Sequence, residues 1–192
     1  MLKMSKKAVK LFALVMVIVL AFPCTLTSCA RESDEDARRI ACDLVERSYN
    51  LNVAYYGSGL ACDPSHNVEG GYYAVREDAP FRIKNDLIKE TKAVFSERVA
   101  SDLVSVYIDG TSSYGQVLFP RYITGYDGYL TVYKEYDYVV KKVTKYDTST
   151  LEITKNRRNV IEATVSTSDY SETIEVVLVF EPEGWRIDSP TY

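Results

Sequence analysis

The sequence predicts an α+β domain, with N-terminal helices packed on an antiparallel β-meander. Three observations carry that expectation. Apolar residues recur at helical spacing through residues 34–49 and again through 85–104. β-Branched and aromatic residues alternate with polar ones through much of residues 129–187, broken by short turns. The helical segments come first and the strands later, which is the order of α+β chains and not of alternating βαβ units.

The first element is not part of the domain. Lys3, Lys6, Lys7 and Lys10 precede the apolar run "LFALVMVIVLAF" at residues 11–22, and small residues then lead to a cysteine. This is the anatomy of a secretory signal. A membrane-spanning helix needs about 20 apolar residues, and Pro23 stops this run after twelve. Leu26, Thr27, Ser28 and Cys29 resemble the lipobox of bacterial lipoproteins. The resemblance implies a diacylglyceryl group on the Cys29 thiol and cleavage before it. It implies acylation of the new N-terminus and a location on the extracytoplasmic face of the cell membrane. Cys24 competes poorly, because Pro23 stands where a small residue belongs. The expected organisation is a signal peptide at 1–28, a tether at 29–33 and one domain at 34–192. The tether spans only ~15 Å when extended, so the domain is expected close to the bilayer.

Ser33 reads as an N-cap, with Asp34, Glu35 and Asp36 in the first turn, where carboxylates favour the positive end of the helix dipole. Ala37, Ile40, Ala41, Leu44 and Val45 form one stripe, and the helix is expected to end near Tyr49. Residues 50–71 are rich in Gly, Asn, Asp and Pro and read as irregular. "YYAV" at 72–75 reads as a short strand. Asn85 or Asp86 can open a second helix through Leu87, Ile88, Thr91, Val94 and Phe95. Ser96 can cap a third carrying Val99, Ala100, Leu103 and Val104. "YLTVYKEYDYVV" at 129–140, "STLEITK" at 149–155, "VIEATVS" at 160–166, "SETIEVVLVFE" at 171–181 and "WRID" at 185–188 read as strands. Short turns join the last four.

Cleavage before Cys29 leaves 164 residues, enough for one sizeable core. The signal removes four lysines and no acid, so 19 basic and 27 acidic residues remain, a charge of −8. An acidic domain has no electrostatic reason to bind nucleic acid. It is mildly repelled by anionic lipid and attracted to basic partners. All 16 tyrosines lie in this part; Tyr suits a half-buried sheet face and also an interface core. Besides Cys29, the domain holds Cys42 in a predicted helix and Cys62 in a predicted loop. In an exported protein such a pair permits a disulfide; in a reducing habitat both stay free thiols.

The helix-then-meander order, closing on "EGWRID" with Trp185 and Ile187 on one face, resembles the cystatin-like and NTF2-like folds. Those folds cradle a long helix against a curved sheet and host enzymes, ligand carriers and adaptors alike. The segment "GGYYAVRED", the helix pair "IKNDLIKETKAVFSERVASDLVS" and "YITGYDGYLTVYKEYD" are similar in order to the IseA family of secreted inhibitors of peptidoglycan DL-endopeptidases. That resemblance covers about residues 37–190 and implies a non-catalytic inhibitor or regulator of a cell-wall hydrolase. The lipobox departs from it and suggests tethering in place of free secretion. The alternatives are an NTF2-like carrier of a small ligand and an adaptor in an envelope complex.

Catalytic chemistry finds little support. The single histidine, His66, has Cys62 at a spacing a metal could use, but no second Cys/His pair follows, so no metal site is expected. Gly57, Ser58 and Gly59 lack the outer spacing of a nucleophile elbow and the third glycine of a dinucleotide loop. No P-loop is present, and no cofactor is expected. The segment at residues 109–129, "DGTSSYGQVLFPRYITGYDGY", is long, Gly-rich and aromatic, and loops on a rigid scaffold often carry function. Tyr114, Tyr122, Tyr126 and Tyr129 are expected as aromatic contacts, Asp127 as a partner for a basic group, and Arg121 as a bidentate contact.

Overall fold

Ser33 begins the first helix as its sequence suggests, its hydroxyl accepting from the Asp36 backbone N–H at 3.0 Å. A computed structural model describes residues 31–111, 119–134 and 141–192; the expected signal segment, Cys29 and Tyr114 lie outside them. Helix α1 (Asp34–Tyr55) has 22 residues, a length of about 33 Å at 1.5 Å per residue. It runs past Tyr49, where the apolar stripe was expected to stop. Two of the positions that continue its buried face are polar. Ser48 donates to the Val45 carbonyl at 2.8 Å, and Asn52 donates to Thr191 Oγ1 at 2.9 Å and to the Thr191 carbonyl. Bonded donors let such groups stand where apolar ones would, although the Asn52 Oδ1 is buried without a hydrogen-bond partner among the described residues.

The chain then forms β1 (Cys62–Glu69) and β2 (Tyr72–Val75), α2 (Lys84–Val94), α3 (Glu97–Tyr107), β3 (Tyr122–Thr124) and β4 (Leu130–Tyr133). It ends with β5 (Tyr146–Arg157), β6 (Val160–Thr167), β7 (Thr173–Glu181) and β8 (Gly184–Ile187). The architecture is α+β, with three helices and two antiparallel four-stranded sheets among the described residues. The first sheet has the order β1-β2-β4-β3 and the second β5-β6-β7-β8. Only the second is the expected meander. The element read at 129–140 does not continue into it: β4 pairs back with β2, setting Tyr73 against Val132 and Ala74 against Thr131. β1 lies where an irregular stretch was expected. It sits at the sheet edge with register breaks on both sides of Asn67, a setting that tolerates Pro64.

Strand β6 buries alternate residues, Ile161, Ala163 and Val165, and these join Leu151, Val176, Leu178 and Ile187 in one apolar cluster with Ala37, Ala41 and Leu44 of α1. Ser96 links the other two helices to that sheet. Its side chain caps α3, and its N–H donates to the Ile187 carbonyl at 2.9 Å.

Polar contacts fix α1 along β5 in opposite chain direction. Asn156 donates to the Glu32 carbonyl at 3.0 Å and to Asp34 at 2.7 Å. Arg38 donates to the Leu151 and Ser149 carbonyls, both at 3.0 Å. Thr148 donates to Glu46 at 2.9 Å, and the Lys141 N–H donates to the Tyr56 carbonyl at 2.9 Å. β5 is an edge strand, and the Arg38 fork occupies two carbonyls that would otherwise invite another strand.

The far end of α1 is closed by β3. A helix leaves its last four carbonyls without intrahelical donors, and α1 has no basic residue in its last turn. Arg121 supplies the charge from elsewhere, donating to the Tyr55 and Gly57 carbonyls at 2.8 and 2.7 Å. Tyr122 donates to the Ala54 carbonyl at 2.7 Å and accepts from the Leu60 N–H at 3.0 Å. Gly59, at φ +81°, lies against this guanidinium; a Cβ there would stand 3.0 Å from Arg121 Nη2. Arg121 is 4% exposed and Tyr122 0%. The expectation that these two meet a partner is therefore corrected: both are spent inside, because a planar fork and a phenol hydroxyl match the unpaired helix carbonyls. Arg121→Met removes two charge-assisted bonds and leaves both carbonyls to find water. We expect a loss of about 3 kcal/mol, read as a lower urea midpoint with unchanged slope; an unchanged midpoint would contradict this role.

Candidate partner-binding site at the β3–β4 hairpin

The remaining residues singled out in the sequence gather at the turn between β3 and β4. Thr124 pairs with Leu130, so residues 125–129 make the connection. Gly125 N–H donates to the Tyr129 carbonyl at 2.8 Å, and Gly128 N–H donates to the Gly125 carbonyl at 3.0 Å. Asp127 accepts from the Tyr129 N–H at 3.0 Å. Gly128 takes φ +83°, a conformation that costs glycine little. The turn is also held from outside. Leu130 N–H donates to the Arg82 carbonyl at 2.7 Å, and the Arg82 guanidinium lies 4.1 Å from the centroid of the Tyr129 ring. Tyr126 is left 94% exposed at the apex. A large ring thus projects from a turn that its neighbours have fixed.

Beside the apex lies a cleft of about 620 Å³ whose lining includes Asp63, His66, Asp78, Arg82, Asp127 and Tyr129. Arg76 and Glu77 also reach it. Four carboxylates face two guanidinium groups there, a balance of −2 with His66 neutral. Arg76 is already matched, forking onto Asp78 at 2.9 and 2.7 Å. Asp63 accepts from the Ser65 hydroxyl and N–H at 2.6 and 2.9 Å. These bonds hold its carboxyl below the usual carboxylate range. The Arg82 Nε is buried without a hydrogen-bond acceptor among the described residues. Sequence reasoning did not place Asp63, Arg76 and Arg82 here. They come from three segments, and no local pattern marks their convergence. Ahead of β3, Phe119 is 72% exposed and stacks on Tyr133 of β4, with ring centroids 6.2 Å apart.

His66 lies on β1 and is exposed. Cys62 is also on β1, not in a loop, and is buried. Cys42 faces the Thr148 carbonyl of β5 at 3.6 Å. The two thiols are free, so the bridged alternative is not formed here. Burial raises the Cys42 thiol above its ordinary pKa, which disfavours the reactive thiolate. Among the described residues, no group of three or more His, Cys, Asp or Glu is disposed to hold a metal ion.

No protein-family model matches the chain. No curated protein matches it either.

Burial pushes Tyr122 up to about 12, with Arg121 opposing, and burial likewise raises Tyr55 and Tyr56. A free tyrosine titrates near pH 10. Between pH 10 and 12 the folded chain therefore keeps the Tyr122 proton that the unfolded chain releases. The contribution is complete below pH 10 and is lost as pH rises to 12. For Tyr122 that loss is about 2–3 kcal/mol. Urea unfolding from pH 8 to 11.5 should show falling stability, and Tyr122→Phe should reduce the slope. An equal slope in both proteins would contradict the assignment.

Proposed function

We infer that this chain is a lipid-anchored extracytoplasmic binding protein that engages a protein partner through the β3–β4 hairpin. The partner proposed is a cell-wall peptidoglycan hydrolase, which the chain inhibits or regulates without catalysing a reaction itself. One observation carries the binding reading: Tyr126 stands 94% exposed on a turn pinned by Asp127, Gly125 and Arg82. Exposing a tyrosine ring costs solvation benefit, and fixing its backbone in advance lowers the entropy lost on binding. Tyrosines of this kind are frequent hot spots in interfaces. The acidic cleft beside it suits a basic surface on the partner.

The finer fold reading is a cystatin-like or NTF2-like cradle. The antiparallel run of α1 along β5, the first strand of a four-stranded meander, supports it. The lipobox at Cys29 and the similarity of the "YITGYDGYLTVYKEYD" segment to the IseA family support the location and the partner class.

A peptidoglycan digestion assay with a purified DL-endopeptidase tests the reading. Added protein should slow digestion. Tyr126→Ala should weaken inhibition by roughly 30-fold, with little change in melting temperature because the side chain is almost wholly exposed. Equal potency of the variant and the unaltered protein would remove the apex from the interface.

A further inference from the structure

The tether determines which part of the domain meets the bilayer. This inference rests on the reading of Cys29 as the acylated residue. Cys29 lies three residues before Glu32, so its lipid is held within ~10 Å of Glu32 along the chain. Glu32 is fixed to the second sheet. Its carbonyl accepts from Asn156 at 3.0 Å, and its side chain accepts from Trp185 Nε1 at 3.4 Å. Asn156 is also the last residue but one of β5; Arg157 ends the strand and Arg158 opens the turn that follows, both exposed. The short tether therefore brings this arginine turn to the lipid surface.

The charges around the turn agree with that placement. Three of the nearby carboxylates are engaged within the domain. Asp34 meets Arg31 at 2.6 Å and Asn156 at 2.7 Å, Asp36 meets Ser33 at 2.7 Å and Arg39 at 3.2 Å, and Glu162 meets Lys155. The domain as a whole is acidic, at −8 after the signal, and an anionic membrane repels it. A pair of exposed arginines next to the anchoring point places positive charge on that side of the domain.

We propose that the Arg157–Arg158 turn seats on anionic phospholipid headgroups and sets the orientation of the lipid-anchored domain. The clasp at Arg121 and Tyr122 then holds the root of the β3–β4 hairpin at the other end of α1, about 33 Å along the helix from the tether.

Trp185 is the only tryptophan and bonds the tether, so its fluorescence reports on the seat. The test uses the full acylated protein in nanodiscs that contain a headgroup spin-labelled lipid, in either phosphatidylglycerol or phosphatidylcholine. Quenching of Trp185 should be stronger in phosphatidylglycerol and should weaken at high salt. Arg157→Gln with Arg158→Gln should abolish the difference. Each arginine shifts the seated-to-unseated ratio roughly fivefold. Both side chains are exposed, and circular dichroism of the variant should match the unaltered protein. Equal quenching in the two lipids, or a difference that survives the double substitution, overturns the proposal. Intact mass separates the causes: an acylated Cys29 with equal quenching overturns the seat alone, and an unmodified Cys29 overturns the anchor and the seat together.

Discussion

The last carbonyls of α1 are the constraint on which the arrangement depends. A 22-residue helix that ends inside a domain must find donors for them. Here each has one: the Asn52 carbonyl from the Tyr56 and Gly57 N–H groups, Val53 from Gly59, Ala54 from Tyr122, Tyr55 and Gly57 from Arg121, and Tyr56 from Lys141. Two of those donors belong to adjacent residues at the start of β3. Satisfying the helix end and positioning the hairpin are therefore one event. The guanidinium also places positive charge at the negative end of the helix dipole, which the helix's own last turn does not supply.

The opposite end of α1 is governed by β5. Asn156, Leu151 and Thr148 of β5 meet Glu32, Arg38 and Glu46 in turn, at progressively later positions along the helix. This fixes both the direction and the register of the strand. The shared apolar cluster supplies the bulk of the burial, and these polar contacts choose among ways of stacking it. A helix held at both ends transmits the position of the tether to the position of the hairpin root. The tyrosine content divides on the same line. The Tyr55 hydroxyl bonds Thr91 of α2 and the Tyr122 hydroxyl forms part of the clasp, whereas Tyr126 is held out in solvent.

Much of the fold was legible because it rests on local signals. Ser33 and Ser96 cap helices where their sequence says they should. The alternation of Ile161, Ala163 and Val165 gives β6 its buried face. What was not legible depends on distant partners. The continuation of α1 past Tyr49 uses Asn52, a residue that reads as a loop former until Thr191 is placed against it. The assignment of β4 to the first sheet depends on its pairing with β2, which alternation alone does not specify. At the site, Gly and Asp around Tyr126 marked a turn correctly, because turn chemistry is local. Arg121 and Tyr122 looked like surface contacts for the same reason, and only the helix carbonyls 66 and 68 positions away give them an inner role.

The central claim is that the ring at the hairpin apex touches a wall hydrolase on the outer face of the membrane. A photo-crosslinking amino acid placed at Tyr126 in native cells tests it most directly, with the exposed Tyr170 as the control position. The account predicts an adduct containing a peptidoglycan hydrolase from position 126 and none from position 170. No adduct at 126, or the same adducts from both positions, would contradict it.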